Sequence, residues 1–155
     1  MAQRLNYAKA FPGGIHALLN LGKVIAGSGL EPSLLELVKI RASQINGCAY
    51  CIDMHTKDAR ALGETEQRLY ALSAWRETPF FTPRERAALA WTEALTNIQQ
   101  SHASDELYEE VRPAFDEAEL AKLTLAIAYI NAWNRIALGF RAEPGTYQPA
   151  VRTSA

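Results

Sequence analysis

Cysteine is nearly absent from this chain of 155 residues: there are two, and both lie in one short stretch. That scarcity excludes a disulfide-stapled scaffold. A disulfide between residues three apart closes a tiny loop and constrains the unfolded chain very little. Other absences narrow the field further. No long basic run occurs, and sixteen Lys+Arg oppose seventeen Asp+Glu for a net charge of −1, which argues against nucleic acid or an anionic membrane as partner. The first residues, MAQRLNYAKAF, lack the apolar core of a secretory signal. The longest charge-free apolar run near the C-terminus, Leu123 to Asn134, is too short to cross a bilayer. A cytoplasmic location is expected. No GxGxxG or P-loop pattern is present, so no nucleotide cofactor is expected. Strict alternation of apolar and polar residues is missing too, and with it the signal for strands.

What is present is helix after helix, punctuated by Gly and Pro. The apolar fraction, 48%, is ordinary. At this length a chain buries about 70% of its unfolded surface and needs no staples, so one domain over 1–155 is expected. Helical spacing runs from Pro12 to Gly27, from Ser33 to Ile45, from Cys48 to Leu62, and from Thr65 to Trp75. Thr82-Pro83-Arg84-Glu85 is a capping box with proline at the first helical position, and starts a helix reaching about Ile98. Asp105 to Val111 and Glu117 to Leu138 complete the set. Asp116 caps the last helix and Gly139 is expected to end it. The reading is all-α, with about seven helices, a core over roughly 31–140 and an irregular tail over 141–155.

The chemistry is concentrated in NGCAYCIDMH, Asn46 to His55. On a helix, Cys48, Cys51 and His55 share one face, with Cys51 and His55 direct neighbours. Cys48 falls at the first turn, where free N–H groups favour a thiolate. If Asn46-Gly47 turns the chain back on itself, Glu36 and His55 reach similar depth along the seam. Glu36 sits among Leu34, Leu35, Leu37 and Val38, where a bare carboxylate is costly. His55 is its expected partner, and can then take a proton from Cys51. A carboxylate, a base, a nucleophile and a second thiol meet in one crevice.

Glu36, eleven residues, Cys48-Ala-Tyr-Cys51, three residues, His55: this spacing resembles the alkylhydroperoxidase AhpD and carboxymuconolactone decarboxylase superfamily. INAWNRIALGF, Ile130 to Phe140, also looks like the C-terminal helix of AhpD-like proteins. The resemblance covers about Glu31 to Phe140. It implies an AhpD-like helical bundle assembled as a trimer or hexamer, and a peroxidase cycling between dithiol and disulfide. It implies Cys51 as the peroxidatic sulfur, Cys48 as the more exposed resolving one, and Glu36 and His55 as the proton relay. The partners implied are a hydroperoxide and an external thiol or lipoyl-type reductant. The chain departs at Tyr50, where AhpD carries a second histidine. A tyrosine, with an ordinary pKa of about 10, can donate a hydrogen bond there but is a poor base.

Other readings stay in view. The motif alone also admits inert buried cysteines, or zinc held by Cys48, Cys51, His55 and Glu36, although a single helix seldom wraps a tetrahedron; no metal is assigned. A dithiol adaptor serving another peroxidase, a decarboxylase or lactone-acting enzyme, and a redox sensor are the functional alternatives. Asp53 and Asp58 read as solvent-facing charges, and His16 as a packing residue. Asn131, Asn134 and Arg135 need hydrogen-bond partners if buried, and structural bracing is the expected role. The apolar surfaces of the first and last long helices call for self-association.

Overall fold

The computed structural model describes residues 2–150. The end of the expected irregular tail, 151–155, lies outside the described residues. Among the described residues there is no strand, and nine α-helices are present: α1 Tyr7–Ala10, α2 Pro12–Ala26, α3 Pro32–Asn46, α4 Ala49–Ala61, α5 Glu66–Ala71, α6 Pro83–Thr96, α7 Ile98–Ser101, α8 Asp105–Val111 and α9 Glu117–Phe140. The all-α expectation holds. The expected number was about seven. The difference lies in α1 and α7, each a single turn of four residues, too short for apolar periodicity to register.

Helix α3 is the centre. Leu34, Leu35, Leu37, Val38 and Ile40 are all buried on it. It packs against α4, α6 and α9, so it is covered on several sides. That explains why its sequence is apolar almost all round and why Glu36 is drawn into the interior. Leu120, Leu123, Ala126 and Ile127 of α9 close the larger core against Leu34, Leu35 and Val38. A second core joins Leu37 and Ile40 to Leu72, Trp75, Phe81 and Leu89.

The boundaries follow local chemistry. Thr82 caps α6 through a complete capping box with Glu85, and Asp116 does the same for α9 with Glu119. Thr65 caps α5, but the expected helix to Trp75 is broken. After Ala71 the chain tightens into a 3-10 segment, Leu72–Glu77, with a kink at Ala74. Gly139 does not end α9. The helix continues to Phe140 and Arg141 takes the left-handed conformation at its end (φ 56°). The N–H groups of Arg141 and Ala142 close onto Leu138 and Ala137 carbonyls, so hydrogen bonding fixes the terminus despite the non-glycine residue.

One turn decides the site. Gly47 closes α3 in the left-handed conformation (φ 70°), which glycine adopts without steric cost. Its N–H reaches the Gln44 carbonyl and the Cys48 N–H reaches that of Ser43. The chain reverses within two residues, and α4 runs back along α3.

Candidate active site

Cys48 is the N-cap of α4, and its Sγ accepts the Cys51 backbone N–H at 3.4 Å. A sulfur thus stands where a serine or aspartate oxygen usually caps a helix. Both cysteines are free, and each is only 1% exposed. Cys51 lies one turn into α4 and His55 one turn further, with His55 6% exposed. From the antiparallel α3, Glu36 Oε2 meets His55 Nδ1 at 2.8 Å. Lys39 Nζ donates to the other oxygen, Glu36 Oε1, at 2.6 Å. The turn at Asn46-Gly47 therefore brings Glu36 and His55 together at the depth that the residue count suggests.

The electrostatics separate the two sulfurs. The Cys51 thiol donates to Cys48, and this outweighs the cost of burial and pulls the Cys48 pKa down from 9.0 to about 7. Backbone N–H groups of Cys51 and Tyr50 and the Asn134 amide act in the same direction. The Cys51 thiol is pushed up, by that same bond to Cys48, by burial and by the Cys48 charge. Of the two, Cys48 is the sulfur that ionises more readily. Burial opposes ionisation of Glu36, but the His55 hydrogen bond and charge, with Lys39, outweigh it and keep the carboxyl below its usual pKa. Glu36 is thus an acceptor only, so His55 Nδ1 carries the hydrogen of their bond.

The sequence reading expected His55 to draw a proton directly from Cys51. Among the described residues no hydrogen bond joins His55 to either sulfur; the Nδ1 bond goes to Glu36. Nor do the four residues of the zinc reading converge. Among the described residues the set of candidate ligands with all atoms within 4.8 Å is Glu36, His55 and Asp58, and the two cysteines stand outside it.

Three features were missed or misread. First, a buried polar strap underlies the thiols. Asn46 Nδ2 donates to Asn131 Oδ1 (2.9 Å) and Asn134 Oδ1 (2.8 Å), while Asn134 Nδ2 donates to Ser43 Oγ (3.0 Å). Asn131 Nδ2 continues to Thr96 Oγ1 at 3.1 Å. Asn134 both braces α3 against α9 and lowers the pKa of both sulfurs, so bracing is only half of its part. The signal was two amides three apart on an apolar helix. Second, Asp53 and Asp58 are half-buried and engaged by the tail: Gly145 N–H reaches Asp53 Oδ2 at 3.0 Å and the Tyr147 hydroxyl reaches Asp58 Oδ1 at 2.7 Å. Third, His16 is exposed, not packed. It lines a cleft of about 540 Å³ with Lys23, Lys39, Tyr129 and His55. Tyr50, half-buried, lines a separate groove of about 450 Å³ with Cys48, Ala137, Leu138 and Arg141. Cys48 and His55 thus line two different clefts.

The sequence profile of the Carboxymuconolactone decarboxylase family matches residues 12–94, which include the whole Glu36 to His55 constellation. The chain belongs to this family. It is 48% identical over 144 residues to the uncharacterized protein YdfG of Bacillus subtilis, covering 92% of this chain and 98% of that one. A crystal structure from Agrobacterium tumefaciens, of a protein of unknown function provisionally described as an AhpD antioxidant defence protein, superposes with a TM-score of 0.91 at 45% identity. The match covers 94% of this chain and 100% of that one. The family placement and the AhpD-like fold thus stand on both sequence and structure. The fold is shared more widely. The debrominase Bmp8 superposes with a TM-score of 0.75 at 22% identity, over 84% of this chain and 70% of its own.

Proposed function

We propose that this family member is a thiol-dependent peroxidase that reduces hydroperoxides through a Cys48/Cys51 dithiol–disulfide cycle, with Glu36 and His55 handling protons. The observation that carries the reading is the buried pair of free sulfurs, one of them held below the usual thiol pKa, close along α4 to an imidazole hydrogen-bonded to a carboxylate. A thiolate, not a thiol, attacks an O–O bond. Because Cys48 ionises more readily than Cys51, Cys48 is the first nucleophile in this reading and Cys51 the resolving thiol. That inverts the roles implied by the family resemblance.

The Cys48 thiolate attacks one peroxide oxygen, the O–O bond breaks, and the departing alkoxide takes a proton that His55 Nε2 accepts from solvent and passes on. Cys48 is now a sulfenic acid. Cys51 attacks its sulfur, the S–S bond forms, and the hydroxyl leaves as water. An external dithiol, of the lipoyl type in the family precedent, reduces the disulfide by exchange and is itself oxidised. In the second reading Cys51 first passes its proton to Cys48 and then attacks. Its place on the helix face one turn before His55 favours it. The test is to treat Cys51→Ser and Cys48→Ser with one equivalent of hydroperoxide and trap sulfenic acid with dimedone. Adduct in Cys51→Ser alone supports Cys48 as nucleophile. Adduct in Cys48→Ser alone supports Cys51, and none in either removes the peroxidase reading.

The comparisons also raise carbon–halogen chemistry, since a debrominase shares the fold. At 22% identity the likeness extends to the fold alone. The antioxidant role, the reductant and assembly as a trimer or hexamer belong to this proposal. Among the described residues no helix is long and apolar enough to cross a membrane.

A further inference from the structure

After α9 the chain runs without secondary structure, yet it does not wander. Gly145 N–H donates to Asp53 Oδ2, Lys57 Nζ donates to the Tyr147 carbonyl at 3.1 Å, and the Tyr147 hydroxyl donates to Asp58 Oδ1 at 2.7 Å. Three bonds thus tie the segment along α4, and Tyr147 and Pro149 are its half-buried members beyond Ala142. The target of the tyrosine matters. Asp58 lies one turn after His55 on α4, and its carboxylate stands within 4.8 Å of both the imidazole and the Glu36 carboxylate. Two carboxylates therefore compete for one imidazole, and the imidazole bonds Glu36.

The surrounding groups explain the choice. Glu36 has Lys39 on its second oxygen, whereas Lys57, the cation nearest in sequence to Asp58, is engaged by Asp53 and the Tyr147 carbonyl. Asp58 is left with the tyrosine hydroxyl. Burial, the bond to Asp58 and the charges of Asp58, Glu36 and Tyr50 all raise the Tyr147 pKa, so the hydroxyl keeps its hydrogen and stays a donor. Among the described hydrogen bonds, His55 Nε2 has no partner. It is the nitrogen left for proton transfer.

We propose that Tyr147 is a positioning residue for His55: its hydroxyl holds the Asp58 carboxylate aside, so that Glu36 alone binds the imidazole and Nε2 stays unoccupied. Without that hydroxyl, Asp58 swings one turn back along α4 and takes a hydrogen on Nε2, fixing a doubly protonated ring that cannot accept a proton. The C-terminal strap is in this sense part of the site, delivered from outside the segment matched by the family profile, which ends at residue 94.

The experiment compares wild type with Tyr147→Phe, Asp58→Ala and the double variant in two readouts. The first is the ¹⁵N spectrum of the His55 ring, which needs no peroxide turnover. The second is the rate at which hydroperoxide oxidises the thiols, and this arm rests on the peroxidase reading. Tyr147→Phe keeps the ring and its packing, and thermal melting checks that each variant folds. The expected result is a His55 spectrum shifted to the doubly protonated form in Tyr147→Phe, with oxidation slowed about tenfold. Both return to wild-type values in the double variant, and Asp58→Ala alone changes neither. An unchanged spectrum in Tyr147→Phe overturns the proposal. So does a double variant that remains shifted, because a merely structural strap is not rescued by deleting its anchor. If the spectra behave as stated but no variant reacts with peroxide, the peroxidase reading fails and the positioning role stands.

Discussion

Cys48 illustrates how little separates an inert buried thiol from a reactive one. Its exposure is 1%, which by itself marks a small hydrophobe. Four donors converge on its sulfur, the Cys51 thiol, the Cys51 and Tyr50 N–H groups and the Asn134 amide, and their sum outweighs burial. The rate of alkylation by iodoacetamide should therefore rise with pH through a midpoint near 7, not near the ordinary 9.0. Cys51→Ala removes the strongest donor and should move that midpoint upward; an unmoved midpoint would show that the thiol pair does not share its proton. Glu36 makes the corresponding case for carboxylates. Its folded pKa is depressed, so its ion pairs stabilise the fold above the usual carboxylate range and are lost as pH falls through the folded value. Glu36→Gln removes the negative charge and one of the two oxygens that Lys39 and His55 bind, and should cost about 3 kcal/mol at neutral pH in urea titrations, as removal of one member of a buried pair does. The difference from wild type should shrink in acid, below the ordinary Glu value of 4.5.

At the scale of elements, the turn between α3 and α4 was legible because it rests on local chemistry: a left-handed glycine at 47 and a run of helical spacing on either side. The Glu36–His55 meeting followed from counting residues out from that turn. The end of α9 was misjudged for an equally local reason. Gly139 looked like a stop, but carbonyls at Ala137 and Leu138 bind the N–H groups of Ala142 and Arg141, and the helix overruns the glycine. Gly139 then sits inside a helix with open space around its missing Cβ. Gly139→Ala should raise stability by about 0.5–1 kcal/mol, read from the shift in melting; a loss would mean that the position is not helical in solution. The tail was illegible. A tyrosine between Pro144 and Pro149 carries no periodic signal, and its anchor on Asp58 pairs residues 89 positions apart. The asparagine strap was half legible: Asn131 and Asn134 announced a need for partners, but Asn46 and Ser43 could be named only from the packing of α3 on α9.

For the whole molecule, four of the exposed large apolar side chains lie on α2 and α9. Leu19 and Val24 of α2 are 45% and 66% exposed, and Leu125 and Leu138 of α9 are 42% and 45%. Burying such faces against another copy would stabilise by roughly 25 cal/mol per Å², and the proposed assembly is tested on that ground. Light scattering coupled to size exclusion should give a trimer or hexamer, and Leu19→Glu with Val24→Glu should shift it toward smaller species. A monomer at tens of micromolar would leave these faces unexplained.

The account as a whole stands on two sulfurs behaving as one redox unit. Reduced protein should be mixed with a single equivalent of hydroperoxide under anaerobic conditions, and its intact mass and free thiols measured together. The account predicts that both thiols disappear, the mass falls by two hydrogen atoms, and peptide mapping joins Cys48 to Cys51. Thiols that persist, or a mass gain from oxygen with no Cys48–Cys51 link, would contradict it.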